Sequence, residues 1–95
     1  MATTELFGRA GTLESCDLMA TVYLDKGKQG LEIEIHSPAL EMFGKAIEDA
    51  TKEVLAELRV ENALVQIQDR GALDFTVRAR VEAAARRALA LKKGV

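Results

Sequence analysis

An α+β two-layer sandwich, with its elements in the order ββαβ(β)α, is the fold class this 95-residue sequence predicts. Its sheet should be mostly antiparallel, with two helices on one face. Two patterns predict it: short stretches in which apolar and polar residues alternate, and two longer ones in which apolar residues recur every three or four positions. Hydrophobic residues make up 48% of the chain, enough to build the core of one small domain.

Residues 1–16 show no sustained period and hold Gly8 and Gly11, so they read as a flexible N-terminal arm ahead of a single domain over 17–95. From Asp17 to Leu24, Leu18, Ala20, Val22 and Leu24 alternate with Met19, Thr21 and Tyr23, which predicts a strand. Asp25 to Gly30 is a turn with two glycines. Leu31, Ile33 and Ile35 alternate with Glu32, Glu34 and His36 in a second strand, expected to pair with the first as an antiparallel hairpin.

Ser37-Pro38 reads as a helix start, with serine as N-cap and proline at the first helical position. Ile47, Ala50, Thr51, Val54, Leu55 and Leu58 then form an amphipathic stripe, extended backwards by Leu40 and Phe43, and the helix should fade near Arg59. Gly44 interrupts it, which suggests a close approach or a kink. A third strand spans Ala63 to Gln68, followed by a turn at Asp69-Arg70-Gly71. Leu73, Phe75 and Val77 alternate, whereas Val77, Val81, Ala84, Ala88 and Leu91 keep a helical stripe. The expectation is a short fourth strand at 72–75 leading into the last helix.

Composition narrows the function. No apolar run approaches the ~20 residues of a membrane helix. A single cysteine and the absence of a basic-then-apolar leader point to the cytoplasm. From Arg78 onward there are six basic residues against one acid, and the rest of the chain holds seven basic against fourteen acidic. That segment has no aromatic residue on which bases stack, so a solvated or protein-docking helix face is favoured over nucleic-acid binding. One histidine and one cysteine match no metal-site spacing, and Glu48-Asp49 reads as solvated surface. Cys16 lies between the acidic residues Glu14 and Asp17 and reads as an ordinary small residue, and His36 is a lone imidazole at a strand end.

The segment around Ser15 places a hydroxyl between Glu14 and Asp17, where a partner enzyme can reach it. On residue chemistry alone, Ser15 is an ordinary turn or strand-start serine. However, Gly11-Thr12-Leu13-Glu14-Ser15-Cys16-Asp17 resembles the modification segment of the citrate lyase acyl carrier protein (gamma chain) family. Phe43-Gly44-Lys45-Ala46-Ile47, Asp69-Arg70-Gly71-Ala72-Leu73-Asp74 and Arg78-Ala79-Arg80-Val81-Glu82-Ala83 are similar to its later segments, in order over nearly the whole chain. Cys16 departs from the glycine or serine common there.

The resemblance implies a non-catalytic carrier. Ser15 would bear 2′-(5″-phosphoribosyl)-3′-dephospho-coenzyme A through a phosphodiester, installed by a holo-carrier transferase with release of pyrophosphate. The thiol of that group would hold acetyl and citryl thioesters while an alpha chain exchanges acetyl for citrate and a beta chain releases oxaloacetate. The Thr-Leu-Glu run before Ser15 favours the citrate type over the related carriers of citramalate lyase and malonate decarboxylase. From other classes, the alternatives are a small enzyme using Ser15 or Cys16 with His36, or an unmodified interaction domain.

Overall fold

The computed structural model describes residues 6–24 and 29–93. Its elements are strands β1 (Phe7–Gly11), β2 (Leu18–Tyr23) and β3 (Leu31–His36), helix α1 (Leu40–Glu57), strand β4 (Ala63–Asp69) and helix α2 (Asp74–Lys92). The strands form one sheet in the order β1-β2-β4-β3. Its β1–β2 and β2–β4 pairings are antiparallel and its β3–β4 pairing is parallel.

The fold class is the expected one. Inward-facing Leu18, Ala20, Val22, Val65 and Ile67 of the sheet are fully buried together with Leu55, Val81, Ala84 and Ala85 of the helices. Fully burying a Leu, Ile or Val side chain contributes about 1.5–3 kcal/mol, so this single layer of contacts dominates the stability. Among the described residues the opposite sheet face carries no helix.

Four details of the expected path change. First, Phe7–Gly11 is an edge strand, paired with β2 from Phe7↔Tyr23 to Gly11↔Met19, where the sequence suggested part of a flexible arm. Its inner positions are Gly8 and Ala10 because α2 lies directly on it. A Cβ on Gly8 would stand 2.0 Å from the Ala84 carbonyl oxygen and 2.6 Å from the Ala88 nitrogen. Small residues where a strand has large ones erase the alternation by which strands are read. Residues 1–5 lie outside the described residues.

Second, β2 and β3 do not form a hairpin. β4 lies between them, and β3-α1-β4 is a parallel pair joined by a helical crossover. Alternation identifies a strand but not its partner. Most of the expected turn, residues 25–28, lies outside the described residues.

Third, α1 begins at Leu40 with Ala39 as N-cap. Ser37 Oγ accepts the Ala39 N–H (3.1 Å) but donates to Asp69 Oδ2 (2.8 Å), so it ties the start of the helix to the end of β4 instead of capping it. Leu40 and Phe43 are exposed rather than part of the buried stripe, and Gly44 meets only the Leu40 side chain of its own helix. The helix closes where expected. Arg59 takes φ +60° and donates to the Ala56 carbonyl, while Val60 donates to Leu55, the paired bonds of a Schellman end.

Fourth, residues 72–75 are not a strand. Asp69 Oδ1 accepts the N–H groups of Gly71 (3.1 Å) and Ala72 (2.9 Å), turning the chain away from the sheet, and Leu73 then caps α2. The helical stripe prevails over the alternation: Val77, Val81, Ala84, Ala85 and Ala88 are buried, whereas Leu73, Phe75 and Leu91 are exposed.

Candidate functional site

Thr12 to Asp17 link the edge strand β1 to β2, and Ser15 sits exposed at the outer turn of this link. The reversal starts at Gly11, whose φ of +106° favours glycine and whose Cβ, if present, would lie 1.8 Å from the Leu18 carbonyl oxygen. Gly11 thus tightens the turn, where the sequence suggested that it loosens it. Thr12 N–H donates to Leu18 O (3.2 Å) and Asp17 N–H to Glu14 O (3.2 Å), closing the loop on itself.

Asp17 organises the loop. Its Oδ2 accepts the Thr12 hydroxyl (2.7 Å) and its Oδ1 the Leu18 N–H (2.7 Å). Arg80, from α2, donates Nε to Oδ1 and Nη2 to Oδ2, both at 2.9 Å, in a two-pronged pairing that suits a planar guanidinium. The Arg80 bond, followed by those from Thr12 and Leu18, holds the Asp17 carboxyl well below the usual carboxylate range, and Asp17 in turn pushes the Arg80 guanidinium up. All four contacts keep Asp17 ionised and engaged, so it braces the serine-bearing turn rather than offering a free acid beside it.

The other flank of Ser15 is held by the turn after β4. Cys16, at φ +65°, donates its N–H to Arg70 O (2.8 Å), and Arg70 N–H donates to Asp17 O (2.9 Å). These bonds prolong the β2–β4 ladder beyond Leu18↔Asp69. Ser15 is therefore exposed on a fixed turn, and its hydroxyl has no hydrogen-bond partner among the described residues.

The other sequence candidates lie at or beside this turn. His36 is exposed at the end of β3 and lines an open groove of about 420 Å³ with Gln68, Asp69 and Arg70. Among the described residues neither Ser15 nor Cys16 is hydrogen-bonded to His36. No cluster of metal-ligating side chains occurs among them either. Glu14 is exposed and Cys16 is an exposed free thiol.

Sequence reasoning missed Arg80 and Arg70 as supports of the site. It also missed an apolar groove of about 320 Å³ between α1 and the start of α2, lined by Phe43, Ala46, Ile47, Ala72, Leu73 and Val77 among others. Asp17 and Arg80 lie 63 positions apart, and nothing local to either signals the other.

A phosphodiester-linked prosthetic group requires an accessible hydroxyl not already committed to the fold, and Ser15 meets that requirement. Of the two acids flanking it, Asp17 is paired with Arg80, whereas Glu14 is exposed.

Comparison with known proteins adds an independent line. Residues 8–88 match the family model described as ACP, malonate decarboxylase delta subunit (MdcD). Over 79 residues the chain is 48% identical to a protein of Salmonella typhimurium named citrate lyase acyl carrier protein 2, covering 83% of this chain and 80% of that one. A Klebsiella pneumoniae protein named citrate lyase acyl carrier protein is 47% identical over the same coverage. One of that name from Rhodopseudomonas palustris is 45% identical over 80 residues, covering 84% of this chain and 80% of that one. Among solved structures, L. major mevalonate kinase in complex with R-mevalonate aligns at a TM-score of 0.33 and 13% identity, over 70% of this chain and 28% of that one. That likeness is too weak to bear on fold or function.

Proposed function

The chain belongs to the citrate lyase acyl carrier protein family, and we propose that it is the carrier subunit of a citrate lyase, loaded at Ser15. The group it would carry is 2′-(5″-phosphoribosyl)-3′-dephospho-coenzyme A, joined to Ser15 Oγ through a phosphodiester. Loading by a holo-carrier transferase forms the Oγ–phosphorus bond as pyrophosphate leaves a triphosphoribosyl precursor, and the hydroxyl proton passes to a base of the transferase or to solvent. When bound, the group supplies a thiol at the end of a long arm, on which acyl groups are held for the alpha and beta chains.

The contribution of this chain is presentation. Thr12, Asp17, Arg80 and the Arg70 backbone fix the turn on both sides of Ser15, so the attachment point has a defined place on the domain. A tether from a fixed point keeps its cargo at high local concentration near docked active sites, which is how a carrier accelerates chemistry it does not perform. The observation that carries this reading is the exposed Ser15 hydroxyl on a pinned turn. The names of the relatives support citrate as the cleaved acid, while the description of the family model keeps malonate decarboxylase as the second reading.

The test is peptide mapping by mass spectrometry of the protein from its native cell. The phosphoribosyl-dephospho-coenzyme A mass should fall on the peptide holding Ser15, and Ser15→Ala should fold yet leave the lyase complex inactive. Finding that mass on Thr12 or Ser37 would sink the assignment.

A further inference from the structure

The open face of the sheet, opposite the helices, is hollowed at the end where the serine-bearing turn lies. One depression of about 240 Å³ is lined by Arg9, Leu13, Met19, Thr21, Gln66 and Gln68. The 420 Å³ groove lined by His36, Gln68, Asp69 and Arg70 adjoins it, because Gln68 lines both. Each has a lining residue tied to the turn that holds Ser15. Leu13 stands two residues before it, and the Arg70 carbonyl accepts the N–H of Cys16, the residue after it. The larger groove lies in the roughly 300–1,000 Å³ range of small-ligand sites, and the smaller one adds apolar Leu13 and Met19 to a mostly polar lining.

Several of their side chains can bind phosphate or a base edge. Arg9 and Arg70 are exposed guanidinium groups, and a guanidinium fits phosphate oxygens in two-pronged fashion. The Arg9 Nε–H is spent on Thr21 Oγ1 (2.9 Å), one of the five donors of the group. A glutamine carboxamide offers one donor and one acceptor side by side, the pattern that matches the N6 and N7 edge of adenine. Gln68 is exposed, whereas Gln66 donates Nε2 to Glu34 (3.1 Å), leaving Gln68 as the base-edge partner. Leu13 and Met19 supply apolar surface for a flat ring. Two carboxylates stand at this lining: Glu34, which accepts the Gln66 amide, and Asp69, which accepts the Ser37 hydroxyl and the Gly71 and Ala72 N–H groups.

We propose that this hollow cradles the adenosine-diphosphate half of the prosthetic arm, with Arg9 and Arg70 on the phosphates and Gln68 on the base. The inference rests on the reading of Ser15 as the attachment point. In the group as named, the phosphoribosyl link sits on the 2′ position of the adenosine. The nucleotide is therefore the half near Ser15 and the thiol the far half. Docking the near half shortens the free arm to its pantetheine part, which still swings. A ligand tethered beside its site sees an effective concentration in the millimolar range, so weak contacts suffice to hold it.

The test compares ¹H–¹⁵N spectra of the apo chain and the loaded chain, with intact mass measured on both. Loading should shift the amides of Met19, Gln66, Gln68 and His36 as well as those of the Ser15 turn. Arg9→Glu and Gln68→Ala, both still loaded by mass and folded by melt, should lose the shifts on the sheet while keeping those of the turn. A loaded chain whose shifts stay within residues 12–17 would overturn the cradle and leave the carrier reading intact. A native chain with no added mass on Ser15 would overturn both.

Discussion

Arg80 of α2 grips both carboxylate oxygens of Asp17, at 2.9 Å each, two residues beyond the serine that the sequence singles out. The pair ties the last helix to the turn that follows the edge strand, and Thr12 and the Leu18 N–H complete the shell of the carboxylate. Because the bonds favour the ionised form, the folded pKa of Asp17 lies below the unfolded aspartate value of ~3.9. The stability gained this way is present above that value and is lost as pH falls through it toward the folded one.

Asp17→Asn should therefore melt at a lower temperature than the parent at neutral pH, and the gap should narrow as the pH is brought below about 4. Melting curves of both chains between pH 2 and 7 make the comparison. Two curves that stay parallel throughout would mean the pairing adds nothing to the fold.

Two glycines should respond in opposite ways to alanine. At Gly8 the added carbon meets the backbone of α2 at 2.0 and 2.6 Å, and backbone cannot move aside. Gly8→Ala should cost at least about 1–3 kcal/mol by overpacking and release β1 from α2. At Gly44 the nearest atom is Leu40 Cδ1 at 2.8 Å, the end of an exposed side chain free to rotate. Gly44→Ala should be neutral or stabilise by up to ~1 kcal/mol through helix propensity. Urea denaturation separates them, and equal effects would discount the packing of β1 on α2.

Much of this fold was legible in residue patterns, and the exceptions share a physical cause. β2, β3, β4 and both helices announce themselves because apolar residues recur with a regular period on the faces they turn, fully or partly buried, to the core. β1 does not, since Gly8 is too small to register and is small because α2 touches it. The insertion of β4 between β2 and β3 left no trace, as both faces of those strands are patterned alike whichever neighbour they take. At 72–77 two periods overlap, and the side-chain bonds of Asp69 that decide between them are tertiary facts. The site divides the same way. Ser15 stood out through its local motif, whereas Arg80 and Arg70, which hold the turn, are distant in sequence.

Cys16 should prove dispensable for loading. Its backbone is what the turn uses, donating to Arg70 O from a left-handed conformation, while the thiol is exposed and free. Cys16→Ser should load and melt like the parent, within ~0.5 kcal/mol. Cys16→Gly should also hold the turn, because glycine takes positive φ without the roughly 1–2 kcal/mol penalty of a side chain, at some cost in unfolded-state entropy. Intact mass after treatment with the transferase reads the first point. Loss of loading in the serine variant would give the thiol a role the structure does not show.

The basic end of α2 offers a last test. Among the described residues Arg86 pairs with Glu82 on the same helix face, both half or more exposed, and such a pair is worth well under ~1 kcal/mol. Arg87 differs, since its Nη1 donates to the Arg9 carbonyl of the edge strand and helps seat the helix on β1. Arg86→Glu should thus leave the melt nearly unchanged, whereas Arg87→Glu should lower it visibly. If this face meets an acidic partner, Arg86→Glu should weaken assembly with the alpha or beta chain mainly by slowing association, and more so at low salt. A binding titration at two salt concentrations, run beside the melts, measures both effects. Unchanged affinity at both salts would make the face solvated surface, and equal melts for the two variants would remove Arg87 from the α2–β1 contact.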